Sequence, residues 1–320
     1  MIVLSCFDGM SCGQQAIERL GVPVAKYFAY EIDKYAVQIT SKNYPETIHL
    51  GNICDWPLHN LPKIDLILAG SPCQGFSFAG KQLNFDDPRS KLFFEFVKLW
   101  KALKAVNPDI KFLLENVKMK QESLDVITQH MGVEPILINS ALVSAQNRQR
   151  WYWTDLPSAG QPDDKCIFLK DVMHEYRDAG IDAEHLKVCR KGRYKKHQNK
   201  ASCLTGGHRG DGNHSDMDVI AFLKCSEVGH ALDINGHDFL KRIYSKYGKA
   251  PTLTAICGGN QHRKVAIDDY VYRRLSVVEW ERLQTVKDGY TDGVSQTQAF
   301  KMLGNGWTVD VIAHILKSLK

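Results

Sequence analysis

One cysteine, Cys73, stands where a folded chain could use it as a nucleophile. It lies in GSPCQGFS, directly after the apolar run at residues 64–69, which is typical of a short buried strand. Gly70 and Pro72 end that strand. Cys73 is therefore predicted on a loop at the carboxyl end of a parallel strand, where open α/β sheets place their binding crevices. A buried structural thiol is the alternative, because free cysteines are among the most buried residues.

A carboxylic acid and two arginines are predicted to reach the same crevice. Glu115, in KFLLENVK, follows a second buried strand. Arg148 and Arg150, in AQNRQRWYW, share one face of an extended segment because strand side chains alternate. Beside Glu115, one arginine could fix the carboxylate and the other could hold an acceptor atom of a substrate. Taken alone, both arginines also fit an ordinary surface position.

A glycine-bearing turn follows the first predicted strand, in VLSCFDGMSCG at residues 3–13. Gly9 and Gly13 allow a ligand to approach the backbone closely. Their spacing is not GxGxxG, so a pyrophosphate cradle is poorly supported. Glu31 ends the next strand, where a carboxylate can hold the hydroxyls of a ribose. An adenosine cofactor without a phosphate tail fits this pattern better than a dinucleotide, and simple turn glycines are the alternative.

These groups together suit the covalent activation of an electron-poor ring. A thiolate adds to the ring, and an acid that is hydrogen-bonded to a ring nitrogen makes the ring a better acceptor. The carbon beside the new bond then becomes enamine-like and attacks a methyl donor. A cysteine hydrolase is the competing chemistry, but it requires a histidine near Cys73, and the catalytic segments supply none in an obvious position.

Alternating strand and helix patterns must position these residues. Strands are predicted at 2–6, 26–31, 64–69 and 110–114, and helices at 13–20, 33–43 and 90–106. This alternation predicts an α/β fold with a doubly wound, mostly parallel sheet. After Pro157 the chain is rich in Gly, Asp, His and Lys, which indicates a smaller, loop-rich and partly β domain. Helical patterns return at 277–285 and 308–319.

Composition and charge restrict the class of protein. The chain has 320 residues, of which 44% are hydrophobic and 24% are charged, as in soluble globular proteins. No apolar run approaches the ~18 residues of a membrane helix, and no signal peptide precedes the first strand. Nine cysteines without CxxC spacing argue against a disulfide framework or a zinc site. We therefore predict a cytoplasmic protein without metal or membrane contact.

The net charge of +5 permits an anionic partner without requiring one. The basic charge is concentrated at residues 187–200, KVCRKGRYKKHQNK, which contain no acidic residue. This run is either a solvated surface segment or a patch that contacts phosphates.

Nine segments, in this order along nearly the whole chain, resemble the DNA (cytosine-5)-methyltransferase family of the bacterial and phage modification type. They are FDGMSCG at 7, YEIDKYA at 30, GNI at 51, GSPCQGFS at 70, GKQLNFDDPRSKLFFE at 80, ENV at 115, QNRQR at 146, RRLSVVEWERLQ at 273 and GNGWTVDVI at 304. The resemblance implies the S-adenosylmethionine-dependent methyltransferase fold. It implies a catalytic and cofactor-binding domain at 1–157 plus 300–320, and a target-recognition domain at 158–299.

The resemblance also implies a mechanism and a cofactor. Cys73 would attack C6 of a cytosine that is flipped out of a specific duplex DNA sequence. Glu115 would contact N3 and the exocyclic amine, Arg150 would hold O2, and Arg148 would orient Glu115. The resemblance implies that S-adenosylmethionine contacts Phe7, Gly9, Gly13, Glu31, Asn52, Ile53, Leu92 and Asn305. Many family members carry Asp in place of Asn52, so weaker cofactor binding is expected.

Double-stranded DNA is the partner that the resemblance implies, with contacts expected at Lys81, Gln82, Arg89, Arg242, Thr252, Gly258 and Gly259. The last four are alternatively ordinary β-hairpin residues. A restriction endonuclease that acts on the same site is a further expected partner, and a monomer is expected. An RNA (tRNA) cytosine-5 methyltransferase and a catalytically silent DNA-binding relative are the alternatives. A recognition domain and the absence of the CFT signature of tRNA-modifying relatives favour DNA.

Overall fold

A mixed sheet carries the predicted site residues. The computed structural model describes residues 1–72, 91–157, 160–174, 191–196, 226–255, 261–267 and 271–320. In the first half of the chain, the strands are β1 Ile2–Cys6, β2 Lys26–Tyr30, β3 Ile48–His49, β4 Leu66–Gly70, β5 Lys111–Val117, β6 Ile136–Asn139, β7 Gln146–Asn147 and β8 Gln149–Thr154. All of these except β7 form one sheet with the order β3-β2-β1-β4-β5-β8-β6.

The sheet is parallel from β3 to β5, and its direction changes at β8, which is antiparallel to both neighbours. Almost all residues of β1, β2, β4 and β5 are buried, as expected for strands that are covered on both faces. The prediction of an α/β fold with a mostly parallel sheet is confirmed. The register pairs Gly70 with Glu115 at the carboxyl ends of β4 and β5.

Helices cover both faces of the sheet. Within the described ranges, the helices are α1 Cys12–Leu20, α2 Lys34–Asn43, α3 Lys91–Val106, α4 Gln121–Met131, α5 Leu169–Val172, α6 Asp238–Lys241, α7 Val277–Leu283, α8 Gln296–Asn305 and α9 Val309–Ile315. On one face, Ile17 of α1 and Ile312 of α9 belong to the buried cluster that contains Leu68 of β4. On the other face, Phe96 of α3 packs in the cluster that contains Ile67. None of these helices is long and apolar enough to cross a membrane.

A closed five-stranded barrel forms the smaller β unit. Its strands are β9 Lys191–Lys196, β10 Glu227–Ala231, β11 Arg242–Tyr244, β13 Lys264–Ala266 and β14 Val271–Arg274. A separate small cluster, which includes Ile234, Ile243 and Tyr272, lies inside this unit. The short strand β12, Ala250–Pro251, leaves the barrel and pairs with β7. This pairing joins the barrel segment to β7, which directly precedes β8 of the large sheet.

The domain division at residues 157 and 299 stays a prediction. Leu275, Trp280 and Leu283 lie in the same buried cluster as Val3 and Leu66 of the large sheet. The same cluster also contains Tyr244 and Val265 of the barrel strands, so one buried core continues across the predicted boundary.

Candidate active site

A cavity of about 380 Å³ opens at the carboxyl ends of β1, β2, β4 and β5. In the sheet, β1 lies between β2 and β4, and the strand order reverses at β1. The edge beside the carboxyl end of β1 is therefore the topological switch point, where α/β sheets bind ligands. The cavity is lined by the predicted residues Phe7, Gly9, Glu31, Asn52, Ile53, Leu92, Glu115, Arg148, Arg150 and Asn305. One cavity therefore collects seven of the eight predicted cofactor residues and three of the four predicted catalytic residues.

Cys73, Lys81, Gln82, Arg89, Gly258 and Gly259 lie outside the described residues. Ser71 and Pro72, which precede Cys73 in the sequence, line the cavity.

Gly13, a predicted cofactor residue, does not line this cavity. It lies inside α1, where an added Cβ would come 2.6 Å from Leu68 Cδ1 and 3.3 Å from the Tyr27 hydroxyl. The missing side chain lets α1 approach the sheet closely. This glycine therefore serves helix–sheet packing, and the turn pattern could not distinguish that use from contact with a ligand.

Backbone amides hold the carboxylate of Glu31 at the cavity wall. Gly9 N–H donates to Oε2 at 2.8 Å, and the N–H groups of Ile32 and Asp33 donate to Oε1 at 2.8 Å each. Gly9 has φ +58°, a left-handed conformation in which glycine carries no steric penalty. Asp33 also caps α2 by accepting from Tyr35 N–H at 3.0 Å. Backbone N–H groups from two segments of the chain thus fix the position of this carboxylate at the cavity wall.

Sequence reasoning missed two residues of this wall. Asp8 accepts hydrogen bonds from Ser11 Oγ and from the Tyr27 hydroxyl, and burial raises its pKa to about 6 against the effect of these bonds. Ile32 is 76% exposed and lines the cavity beside Glu31, so it offers an apolar surface to a ligand. Its position directly after the strand-ending carboxylate was the available sequence signal.

The carboxylate of Glu115 contacts two different side chains, and it is 8% exposed. Arg150 Nε lies 3.0 Å from Oε1, and the indole N–H of Trp307 donates to Oε2 at 3.1 Å. The expectation that Arg148 orients Glu115 is wrong for this structure, because Arg150 makes the direct ion pair. Which arginine reaches the carboxylate depends on how β8 pairs with β5, and local alternation does not specify that pairing.

Arg148 instead connects three backbone segments. Its guanidinium donates to the carbonyl oxygens of Leu253 at 2.9 Å, Gly304 at 3.2 Å and Gly306 at 3.0 Å. Burial, and secondarily repulsion from Arg150, lowers the pKa of Arg148 to about 9, so the side chain keeps its charge at neutral pH. An added Cβ on Gly304 would come 2.4 Å from the carbonyl carbon of Thr254, which shows how closely the barrel-side loop approaches this turn.

We expect Arg148→Met to lower the free energy of unfolding by about 2 to 4 kcal/mol, because several buried carbonyl oxygens lose their donor together. Arg19→Met is the matched control. Arg19 pairs with Asp310 and donates to Thr285 O, but its side chain is 36% exposed. Its loss is expected to cost about 1 kcal/mol or less. Urea unfolding measures both values, and equal losses would contradict the proposed bridging role.

Two predicted DNA contacts are engaged within the protein. Arg242 is exposed on the barrel and pairs with Glu227 at 3.4 Å and Asp238 at 3.2 Å. Thr252 donates its hydroxyl hydrogen to Asn147 O at 2.7 Å, which fastens β12 to β7. Neither residue lines the cavity. Their contact with DNA stays a prediction.

The sheet order and the cavity at its switch point define an α/β methyltransferase. The family model for C-5 cytosine-specific DNA methylases matches residues 1–320. The chain belongs to this family, whose activity is methylation of C5 of cytosine in DNA.

Individual proteins show the same likeness. The type II methyltransferase M.FnuDI of Fusobacterium nucleatum is 27% identical over 348 residues, which cover 100% of this chain and 94% of that protein. M.NgoBV of Neisseria gonorrhoeae is 38% identical over 185 residues, or 56% of this chain and 43% of its own length. The structure of the methyltransferase EhMeth of Entamoeba histolytica has a TM-score of 0.67 at 16% identity and covers 100% of this chain and 97% of its own. At that identity, the last comparison shows the fold alone.

Proposed function

We propose that the chain methylates cytosine in duplex DNA through a covalent adduct with Cys73, with S-adenosylmethionine as the methyl donor. The observation that carries this proposal is the joint placement of two carboxylates in one cavity of about 380 Å³. Glu31 lies at one end with its backbone cradle, and Glu115 lies at the other beside Arg150. The Glu31 carboxylate suits the cofactor, and the Glu115 carboxylate suits the cytosine ring.

The residues at the first end fit the proposed cofactor. The Glu31 carboxylate accepts from three N–H groups and keeps lone pairs for ribose hydroxyls. Exposed Ile32 offers an apolar surface to an adenine ring, and Asn52 and Ile53 line the same region. S-Adenosylmethionine supplies an electrophilic methyl group when bound. The position of Glu31, together with family membership, supports this assignment.

The second end suits acid assistance to a cytosine ring. The Cys73 thiolate forms a bond to C6, and Glu115 delivers a proton to N3, so that the ring's electron pair becomes available at C5. C5 then takes the methyl group. A base removes the C5 proton, the S–C6 bond breaks to return the thiolate, and the N3 proton returns to Glu115. Arg150, which lies beside Glu115, moves to hold the cytosine O2.

A restriction endonuclease that reads the same DNA sequence is the proposed partner. The type II names of relatives such as M.FnuDI and M.NgoBV support it. We propose that the enzyme works on DNA in the cytoplasm as a monomer.

Transfer of labelled methyl from S-adenosylmethionine tests the proposal. Unmethylated duplex DNA and tRNA serve as parallel acceptors. We expect label in DNA alone, on C5 of cytosine in one sequence context. Label in tRNA would instead indicate the RNA enzyme, and DNA binding without any label would indicate a silent relative.

A further inference from the structure

The two oxygens of the Glu115 carboxylate have neighbouring groups of different character. Oε1 faces the charged guanidinium of Arg150 at 3.0 Å, whereas Oε2 accepts from the neutral indole N–H of Trp307 at 3.1 Å. An indole nitrogen can donate a hydrogen bond but cannot accept one. Oε2 is therefore kept as an acceptor, whatever the protonation state of the carboxyl group.

The indole ring of Trp307 is fixed in a slot between glycines. An added Cβ on Gly70 would come 2.9 Å from the indole nitrogen and 3.0 Å from Cζ2, and an added Cβ on Gly13 would come 3.5 Å from Cζ3. The next residue, Thr308, is fixed by its hydroxyl bond to Gln284 at 2.9 Å. Packing on both sides of the ring and the fixed position of Thr308 therefore hold the indole N–H in its direction toward Glu115.

We propose that Trp307 is a positioning residue that determines which oxygen of Glu115 carries the catalytic proton. This inference rests on the proposed function, in which Glu115 acts as the acid. Once Arg150 has moved from Oε1 to the cytosine O2, Oε2 still accepts from Trp307, so the proton of the carboxylic acid belongs on Oε1. Oε1 then delivers the proton to N3 when Arg150 shifts to O2. Oε2 keeps a second lone pair that can accept from the exocyclic amine of cytosine.

Trp307→Phe keeps an aromatic ring in the slot but removes the N–H together with part of the indole, so the loss of ring volume is controlled by the same substitution at Trp153. We expect kcat for methyl transfer to fall by about tenfold to a hundredfold, the range for a lost hydrogen bond to a charged group. The Kd of S-adenosylmethionine and the KM of duplex DNA are expected to change less than about threefold. A packing role would show the opposite pattern, with weaker cofactor binding and an unchanged kcat, and would overturn the proposal.

Trp153→Phe is the matched control. Trp153 is fully buried in the core, and its indole N–H donates to Thr128 Oγ1 at 3.0 Å. This substitution deletes the same group and the same kind of bond away from the cavity. We expect a comparable loss of stability with kcat within about twofold of wild type. If Trp307→Phe and Trp153→Phe have equal kcat values, Trp307 has no positioning role.

A double-mutant cycle with Glu115→Gln separates the proposed role of Trp307 from the proposed role of Glu115. If Trp307 acts through Glu115, the double variant has the same kcat as Glu115→Gln alone, because the acid is already absent. Multiplied losses would show that Trp307 acts by another route. If Glu115→Gln itself keeps a wild-type kcat, the proposed function of Glu115 fails. If Trp307→Phe keeps a wild-type kcat and Glu115→Gln does not, only the inference about Trp307 fails.

Gly70→Ala tests the slot without removing the indole. Its new methyl group would come 2.9 Å from the indole nitrogen, so the indole must be displaced from its present position. We expect a kcat loss like that of Trp307→Phe. An unchanged kcat in a folded Gly70→Ala variant would count against the proposal.

Discussion

Replacing Cys73 with alanine is expected to abolish methyl transfer, because C5 of cytosine becomes nucleophilic only after a nucleophile has added at C6. The described cysteines of the cavity region offer no substitute. Burial raises the pKa of Cys12 to about 12, and burial also raises the pKa of Cys6, so both remain thiols at neutral pH. Labelled methyl transfer and covalent trapping on duplex DNA that contains 5-fluorocytosine are both expected to disappear.

Binding measurements separate loss of chemistry from loss of structure. Cys73→Ala is expected to retain duplex DNA binding in a mobility-shift assay. Cys166→Ala is the control, because Cys166 is an exposed free cysteine that does not line the cavity, and its variant is expected to transfer methyl groups at the wild-type rate. A Cys73→Ala enzyme within about tenfold of wild type would rule out the covalent mechanism.

Glu115→Gln is expected to lower kcat by about 10²- to 10⁴-fold, the usual contribution of a positioned general acid. An amide has no proton to give to N3. It also fits its surroundings poorly, because one carboxylate oxygen accepts from the Trp307 N–H and the other lies 3.0 Å from Arg150 Nε in an ion pair. The NH₂ group of the glutamine must then face either the Trp307 N–H or the Arg150 guanidinium. We expect an additional stability loss of about 1 to 3 kcal/mol from this mismatch.

Steady-state kinetics and urea unfolding measure these two effects separately. Glu122→Gln, at an exposed position of α4, is the control for loss of a carboxylate, and it is expected to leave kcat and stability unchanged. The Kd of S-adenosylmethionine is expected to stay close to wild type in both variants, since the carboxylate proposed to hold the cofactor is that of Glu31. Wild-type kcat in Glu115→Gln would remove Glu115 from the mechanism.

Apolar runs that end at glycine, proline or an acidic residue predicted β1, β2, β4 and β5 to within a few residues. The largest difference is at β5, predicted to end at residue 114 but observed as Lys111–Val117. Its last residues are held by pairing with Trp151 and Arg150 of β8. Pairing with a strand that is distant in the sequence leaves no local pattern, so the extension and the antiparallel direction of β8 could not be predicted.

Some residues of the candidate site could be predicted from the sequence, and others could not. Residues at strand ends, such as Glu31 and Glu115, could be predicted because a parallel sheet brings the carboxyl ends of its strands to one edge. Gly13 could not be assigned correctly, since close packing on Leu68 and approach to a ligand require the same residue type. Trp307 could not be predicted as a site residue, because nothing in its local sequence indicates that its N–H meets Glu115.

The sequence by itself determined the family, the α/β class and the identity of the residues at the catalytic edge, because motif order and strand ends are local properties of the chain. Only the tertiary structure decided which donor meets which oxygen. Arg150 rather than Arg148 reaches Glu115, and Trp307 joins it from 192 positions away along the chain. Such contacts depend on the register of β8 and on the packing of α9 against α1, and neither is encoded in any short segment.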